Sequence, residues 1–236
     1  NLFHNPSIFQ TRFVLSDPGP FWLPLIEQEN ATYGDLIVLP LEETKSIANT
    51  IKSIEFFKSL LKQERRWKFV SKIDDDSYLD VNAFYKQFLA MWLDMEAHFK
   101  SEVRINRTMI GKKVNQYGVN YAGGQFYTMS WDLLELLVKL YTDNPTDKYD
   151  EDALNAILLK NAGVEWQLVE MDPAMAFDFV PHGSSPLARD DEDLTGWSHG
   201  VGPNAINPHK MKDDEMYLKV ASLWDDAGLQ LDRTFS

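Results

Sequence analysis

Apolar residues recur along the chain in two rhythms, one typical of strands and one typical of helices. Short apolar runs at residues 12–16, 36–40 and 67–73 predict buried strands, because turn-forming or charged residues bound each run. Residues 46–62 carry isoleucine, phenylalanine and leucine at helical spacing, with lysine and glutamate between them. This strand, helix, strand order predicts that the second and third strands pair in parallel.

The rest of the chain alternates in the same way. Residues 182–208 are rich in glycine, proline, serine and aspartate, which predicts loops, and Ser130 is placed to cap a helix. No linker interrupts the pattern, which indicates a single α/β domain over residues 1–236. The other predicted elements are helices at 21–30, 81–99, 131–141, 150–161 and 211–225, and short strands at 103–128.

Composition and charge narrow the range of partners. With 236 residues and 44% hydrophobic content, the chain can build a sizeable core. A net charge of −13 argues against nucleic acid or an anionic membrane as partner, because no basic stripe is present. The absence of cysteine excludes disulfides, zinc–thiolate sites and cysteine nucleophiles. No apolar run approaches the roughly 18–20 residues of a membrane helix, so membrane attachment is expected only through a segment outside this chain.

Three consecutive aspartates, Asp74, Asp75 and Asp76, follow the third predicted strand. Like charges in contact repel, so these carboxylates need a counter-charge or open solvent. Ligands of open α/β sheets bind at the carboxyl ends of strands, and carboxylate oxygens suit Mg²⁺ or Mn²⁺. The triplet therefore fits a site for a metal and a diphosphate. It also fits a solvated acidic turn that caps the next helix.

Two later stretches admit a functional and a structural interpretation. Gly123 and Gly124 precede a strand, where paired glycines allow a ligand to approach the backbone or simply form a tight turn. Glu151 and Asp152 lie in the first turn of a predicted helix. A carboxylate there can be a general base, but acids at helix N-termini are also favoured by the macrodipole.

Taken in order, these stretches resemble glycosyltransferase family 31, the β-1,3-glycosyltransferases often called the galactosyltransferase family. The resemblance extends from about Arg12 to Trp224. It implies a GT-A fold, that is, a Rossmann-type nucleotide-sugar domain with a central, mostly parallel sheet flanked by helices. The matching stretches are Phe13–Ser16, Glu29, Tyr33–Ile37, Ile51–Ser53, Lys72–Tyr78, Tyr121–Ser130, Glu151–Ala153, and His209 with Met216.

The resemblance also implies roles for individual residues. Asp76, assisted by Asp74, is expected to bind Mn²⁺ or Mg²⁺ on the donor diphosphate. His209 is the expected second ligand, preferred to His199 because its spacing to Met216 fits the family pattern.

The remaining roles concern the base and the donor. Asp152 is the expected catalytic base. The expected cofactor-binding residues are Lys52, Asp74, Asp75, Gly123 and Gly124, with a UDP-sugar as the donor. Acceptor specificity is expected in the loops of residues 181–208.

The implied activity is inverting, metal-dependent transfer of a hexose, with galactose expected, from a UDP-sugar to a hydroxyl of a glycan acceptor, forming a β linkage. Haloacid-dehalogenase-like phosphatases also place aspartates after a strand, but Tyr78 stands where their pattern requires threonine or valine.

An earlier strand and an Arg-x-x-Trp segment, usual in the family, fall before the start of this chain. The alternative is therefore an inactive relative that binds a glycan or a partner. Sequons at Asn30 and Asn106 accord with the Golgi or secretory-pathway lumen that the family implies, as a trimmed domain of a type II membrane protein.

Overall fold

The computed structural model describes residues 9–99 and 105–232. Residues 103–104, the start of one segment predicted to contain strands, lie outside this range. Helices and strands alternate through the described residues, which confirms the α/β class predicted from the sequence. No helix among the described residues is both long enough and apolar enough to cross a bilayer.

The helices agree in position with the apolar periodicity of the sequence. One π-helical turn, Tyr85–Leu89, lies between α4 and α5. The helices are Gly19–Tyr33 (α1), Lys45–Thr50 (α2), Lys52–Leu61 (α3), Val81–Phe84 (α4), Ala90–Phe99 (α5), Trp131–Asp143 (α6), Glu151–Asn161 (α7) and Asp214–Ala221 (α8).

The strands form one larger sheet and three smaller ones. The larger sheet has the order β3-β5-β4-β6, and the smaller ones are β1-β2, β8-β7-β9 and β10-β11. The strands are Phe13–Asp17 (β1), Leu36–Glu42 (β2), Phe69–Ile73 (β3), Thr108–Gln116 (β4), Val119–Ser130 (β5), Gln167–Glu170 (β6), Ala176–Phe179 (β7), Ser198–His199 (β8), Asn207–His209 (β9), Trp224–Asp225 (β10) and Gly228–Leu229 (β11).

Strand direction differs between the sheets. The pairs β1–β2, β4–β6, β7–β8 and β7–β9 are parallel, whereas β3–β5 and β4–β5 are antiparallel. The sheet that leads to the aspartates is therefore mixed. The predicted parallel pairing of β2 with β3 does not occur among the described strands, because β2 pairs with β1 and β3 pairs with β5.

A two-residue turn explains the antiparallel centre of the larger sheet. Tyr117 and Gly118 join β4 to β5 with φ angles of 53° and 68°. Two positive φ angles in succession are the mark of a hairpin turn whose twist matches the flanking strands. The predicted short strands over 103–128 are thus one long hairpin, which brings Gly124 opposite the end of β3.

The main core lies between the larger sheet and helices α3, α6 and α7. Ile54, Phe57 and Tyr127 are among its fully buried members, at 1% exposure or less. Two details differ from the sequence-based expectation. The predicted helix over 46–62 is divided at Ile51, and Ser130 precedes α6 without capping it, because its hydroxyl bonds to the Asp132 carboxylate instead.

Candidate active site

The three aspartates lie in a turn directly after β3. The Asp74 N–H donates to the Gln125 carbonyl at 3.1 Å, and the Ser77 N–H donates to the Asp74 carbonyl at 3.1 Å. This turn gives the carboxylates different surroundings. The side chain of Asp74 is 34% exposed and that of Asp76 only 7%, whereas Asp75 is exposed.

Backbone hydrogen bonds hold His209 beside this turn. On one side of the histidine, the Tyr78 N–H donates to the Pro208 carbonyl at 3.0 Å. On the other side, the Met211 N–H donates to the Asp76 carbonyl at 3.0 Å. A residue 133 positions later in the sequence than Asp76 (209 − 76) is thereby fixed next to it.

The side chains of this cluster suit a divalent cation. The Nε2 atom of His209 lies 3.4 Å from Asp76 Oδ1 and 3.7 Å from Asp74 Oδ2, and one ligand atom from each residue lies within 4.8 Å of the others. Two ligands of one ion at ~2.1 Å lie at most about 4.2 Å apart, so only a small adjustment is needed. Two carboxylates and an imidazole form a donor set compatible with Mn²⁺.

Asp178 orients His209 from behind. It lies on β7, in register with His209 on β9, and its Oδ1 accepts a hydrogen bond from His209 Nδ1 at 2.9 Å. Burial raises the pKa of Asp178, but the bonds from His209 and Lys210 outweigh this effect and lower the pKa to about 2. A permanently ionised Asp178 keeps the proton on Nδ1 and leaves the lone pair of Nε2 for a metal.

The Asp76 carboxylate has an unsatisfied oxygen. Its Oδ2 is buried and accepts no hydrogen bond, although the ammonium group of Lys212 forms an ion pair with it. Lys212 itself is 76% exposed and can turn towards solvent. A buried carboxylate oxygen without a hydrogen bond is costly, and coordination to a cation relieves that cost. Asp74, Asp76, His209 and Asp178 are called the metal half of the site below.

The candidate base lies on a different element, at the start of α7. Asp152 Oδ2 accepts the Gly124 N–H at 2.8 Å, and Oδ1 accepts the Ala153 N–H at 2.7 Å. Burial raises the pKa of Asp152, and the neighbouring Glu151 raises it further. A Cβ atom at Gly124 would lie 3.3 Å from Asp152 Oδ2 and 3.5 Å from Lys72 Nζ, so glycine leaves room for both groups.

Glu151 is the second carboxylate at the start of α7, and it is buried. Its Oε2 accepts a hydrogen bond from the Tyr127 hydroxyl at 3.0 Å, and its Oε1 lies 3.3 Å from Lys72 Nζ. The pKa of Tyr127 is raised well above its ordinary value, by burial first and by the Glu151 charge second. Tyr127 therefore remains a hydrogen-bond donor. Asp152, Glu151, Tyr127 and Gly124 are called the base half below.

Lys72 touches both halves. Its ammonium group lies 2.5 Å from Asp74 Oδ1, 2.7 Å from the Gly124 carbonyl and 3.3 Å from Glu151 Oε1. Burial lowers its pKa, but Glu151 and Asp74 outweigh burial, so the pKa is raised and the group stays charged. Three acceptors match the three hydrogens of an ammonium group.

The other residues singled out in the sequence lie elsewhere. Gly123 packs towards β4, where an added Cβ would lie 3.1 Å from Val114 Cγ2. The ammonium group of Lys52 pairs with the Glu43 carboxylate at 2.8 Å. Neither contact involves the aspartates, so the structure brings together Asp74, Asp76, His209, Gly124 and Asp152 but places Gly123, Lys52 and exposed Asp75 apart from the cluster.

His199, the competing histidine, is fully buried. Its ring stacks on Phe177 with centroids 3.9 Å apart, and its nitrogens face the carbonyls of Gly200 and Pro173. Both nitrogens are thus engaged by the backbone, whereas Nε2 of His209 faces carboxylates. This geometry agrees with the preference for His209.

Sequence reasoning assigned no role to Lys72, Tyr127 or Asp178. Lys72 was visible in the motif before the aspartates, but its three partners are brought together only by the fold. Asp178 interrupts an apolar strand, Ala176–Phe179, and a carboxylate in that position is a signal that could have been used.

Comparison with known proteins gives the identity of the fold and its family. No curated protein sequence matches the chain. One solved structure to which it is similar is described as a glycosyltransferase involved in the glycosylation of the major capsid of PBCV-1, with 10% identity, 91% of this chain and 100% of that chain covered, and a TM-score of 0.46.

The family assignment comes from the sequence profile named Galactosyltransferase, which matches residues 22–170, more than half of the chain. The matched range contains the aspartate turn, Gly124 and Asp152, while His209 follows it. The chain therefore belongs to the galactosyltransferase family and is a glycosyltransferase.

Proposed function

We propose that this glycosyltransferase catalyses metal-dependent, inverting transfer of a hexose, with galactose as the expected sugar, from a UDP-sugar to a hydroxyl of a glycan acceptor, forming a β linkage. The observation that carries the proposal is the convergence of Asp74, Asp76 and His209 after β3. A buried carboxylate with a raised pKa, Asp152, is linked to that cluster through Gly124 and Lys72. Separate metal and base groups suit displacement in a single step.

Asp74, Asp76 and His209 would hold Mn²⁺ or Mg²⁺. The bound ion supplies charge neutralisation for a leaving diphosphate. The chain itself holds His209 in the tautomer that presents Nε2, through the Asp178 carboxylate. The roles of Lys52, Asp75, Gly123 and Gly124 in nucleotide binding belong to the same proposal.

Asp152 accepts the proton of the acceptor hydroxyl. A general base works best when its pKa approaches the working pH, and burial beside Glu151 moves the pKa of Asp152 in that direction. The hydrogen bonds from Gly124 and Ala153 fix its two oxygens. Attack on the face opposite the leaving group inverts the anomeric carbon without a covalent intermediate.

Trp197 is proposed as the contact for the acceptor sugar. It lies in the 181–208 segment, is 55% exposed, and its carbonyl accepts the Asp178 N–H at 2.9 Å, next to the metal half. The Lys112 ammonium lies 4.4 Å from the centre of its ring, which fixes one face. An exposed aromatic face suits the polarised C–H groups of a pyranose ring.

The proposed setting is the Golgi or secretory-pathway lumen, where nucleotide-sugar donors and glycan acceptors are expected to meet this chain as the domain of a type II membrane protein. The sequons at Asn30 and Asn106 support this setting.

The deciding experiment is a calorimetric titration of UDP into the protein with and without Mn²⁺, followed by incubation with UDP-galactose and mixed β-glycoside acceptors. Binding that requires Mn²⁺, together with transfer, supports the proposal. Binding with no transfer to any acceptor or water favours the inactive binding module. The absence of binding in both titrations contradicts a working donor site.

A further inference from the structure

Lys72 occupies the one described position from which a single side chain contacts both halves of the site. It projects from β3, two residues before Asp74, and reaches the Gly124 carbonyl on β5 and Glu151 on α7. These three elements are far apart in the chain but meet at this ammonium group. Its side chain is 23% exposed, so the contacts are partly shielded from water.

The partners of Lys72 are the groups that position the reacting side chains. Asp74 is a candidate metal ligand, and the Gly124 peptide, whose carbonyl accepts from Lys72, is preceded by the N–H that holds Asp152. Glu151 is the residue before Asp152 in α7, and Tyr127 fixes its second oxygen. A shift of Lys72 therefore reaches both carboxylates that the chemistry uses.

We infer that Lys72 and Glu151 are positioning residues, and that their ion pair fixes the metal ligand Asp74 and the base Asp152 relative to each other. This inference rests on the proposed function for the identity of the two tasks. In this arrangement Glu151 is a structural counter-charge and Asp152 alone is the base. Tyr127 and Lys72 saturate the two oxygens of Glu151, whereas Asp152 keeps lone pairs free for a substrate hydroxyl.

A role as a mere charge predicts the opposite result for metal binding. If Lys72 acted only through its charge, its removal would strengthen Mn²⁺ binding, because a repelling cation near Asp74 is lost. If it positions Asp74, its removal weakens binding, as the loss of groups that orient metal ligands does, by about 10-fold. The direction of the change therefore separates the two roles.

The experiment titrates Mn²⁺ alone into the wild-type protein and the Lys72→Met, Lys72→Arg and Glu151→Gln variants, with Lys113→Met as the matched control. Lys113 lies on the neighbouring strand in an exposed ion pair with Glu170. The expected result is a loss of about 10-fold in Mn²⁺ affinity for Lys72→Met, partial recovery in Lys72→Arg, and no change for Lys113→Met. Unchanged or tighter Mn²⁺ binding by both Lys72 variants overturns the inference.

The second readout is the pH dependence of kcat/KM with UDP-galactose. The charged groups that act on Asp152 are Glu151, which raises its pKa, and Lys72, which lowers it. Glu151→Gln should therefore move the acid limb to lower pH, and Lys72→Met should move it to higher pH. Equal limbs in both variants contradict the inference.

The two readouts distinguish the failure of the inference from that of the proposed function. Weakened Mn²⁺ binding in Lys72→Met without transfer by the wild type contradicts the proposed reaction but supports the positioning of Asp74. If the wild type binds no Mn²⁺ at all, both the metal site and the inference fall. Circular dichroism of each variant shows whether it is folded, and Glu151→Gln approaches the same ion pair from its other side.

Discussion

The two halves of the candidate site use the same chemical group, a carboxylate, in opposite ways. In the metal half, Asp178 is surrounded by cationic donors, and its pKa falls to about 2. In the base half, Asp152 is desolvated beside another acid, and its pKa rises. An acid that orients a metal ligand must stay ionised, whereas a base must be able to take a proton. The difference shows that burial and neighbours, not residue type, set the task of each carboxylate.

The largest expected effect comes from removing the base. Asp152→Asn should lower kcat by about 10²- to 10⁴-fold, because the proton of the attacking hydroxyl loses its acceptor. Mn²⁺-dependent UDP binding, measured by calorimetry, should stay close to that of the wild type, since the metal half is intact. Asp150→Asn is the control, as Asp150 precedes the same helix but makes no side-chain capping bond. A parallel loss of UDP binding in Asp152→Asn would falsify the division into two halves.

Removing a metal ligand should produce the complementary pattern. Asp76→Asn should weaken Mn²⁺-dependent UDP binding by about 100-fold or more, because a buried ligand oxygen is replaced by a neutral amide. Asp75→Asn, in the exposed member of the triplet, should have a much smaller effect. Calorimetric titration of both variants tests this difference. Equal losses would mean that exposure does not separate the two aspartates.

A smaller effect is expected behind the metal ligand. Asp178→Asn should reduce Mn²⁺ affinity about 10-fold, because the His209 ring loses the carboxylate that holds its Nδ1 proton. The measurement is again Mn²⁺ titration, repeated at several pH values. The loss should be greatest at low pH, where an unsupported imidazole binds a proton in competition with the metal. A pH-independent loss would indicate a purely steric role.

The smallest effect is expected outside both halves. Trp197→Ala should raise the KM for a glycoside acceptor several-fold, equivalent to about 1 kcal/mol of aromatic contact, with little change in Mn²⁺ or UDP binding. Trp22→Ala is a well-matched control, since Trp22 is 56% exposed and Trp197 is 55% exposed. A similar change in both variants would remove Trp197 from the acceptor site.

The sequence by itself determined the classes of element and several members of the site. Local apolar periodicity indicated the α/β class, and the order of motifs indicated the galactosyltransferase family, which the profile match over residues 22–170 confirms. Asp74, Asp76, Asp152 and His209 were selected from their motifs, and the fold brings Asp74, Asp76 and His209 together. Their roles in metal binding and catalysis remain predictions.

Only the tertiary structure decided which strands pair and which groups meet. The turn at Tyr117 and Gly118 makes the centre of the larger sheet antiparallel, a consequence of backbone angles that apolar periodicity does not encode. The contacts of Lys72 with Asp74, Gly124 and Glu151 join residues up to 79 positions apart (151 − 72). Local patterns report burial and conformation, whereas distances and pKa values depend on which distant segments share the same space.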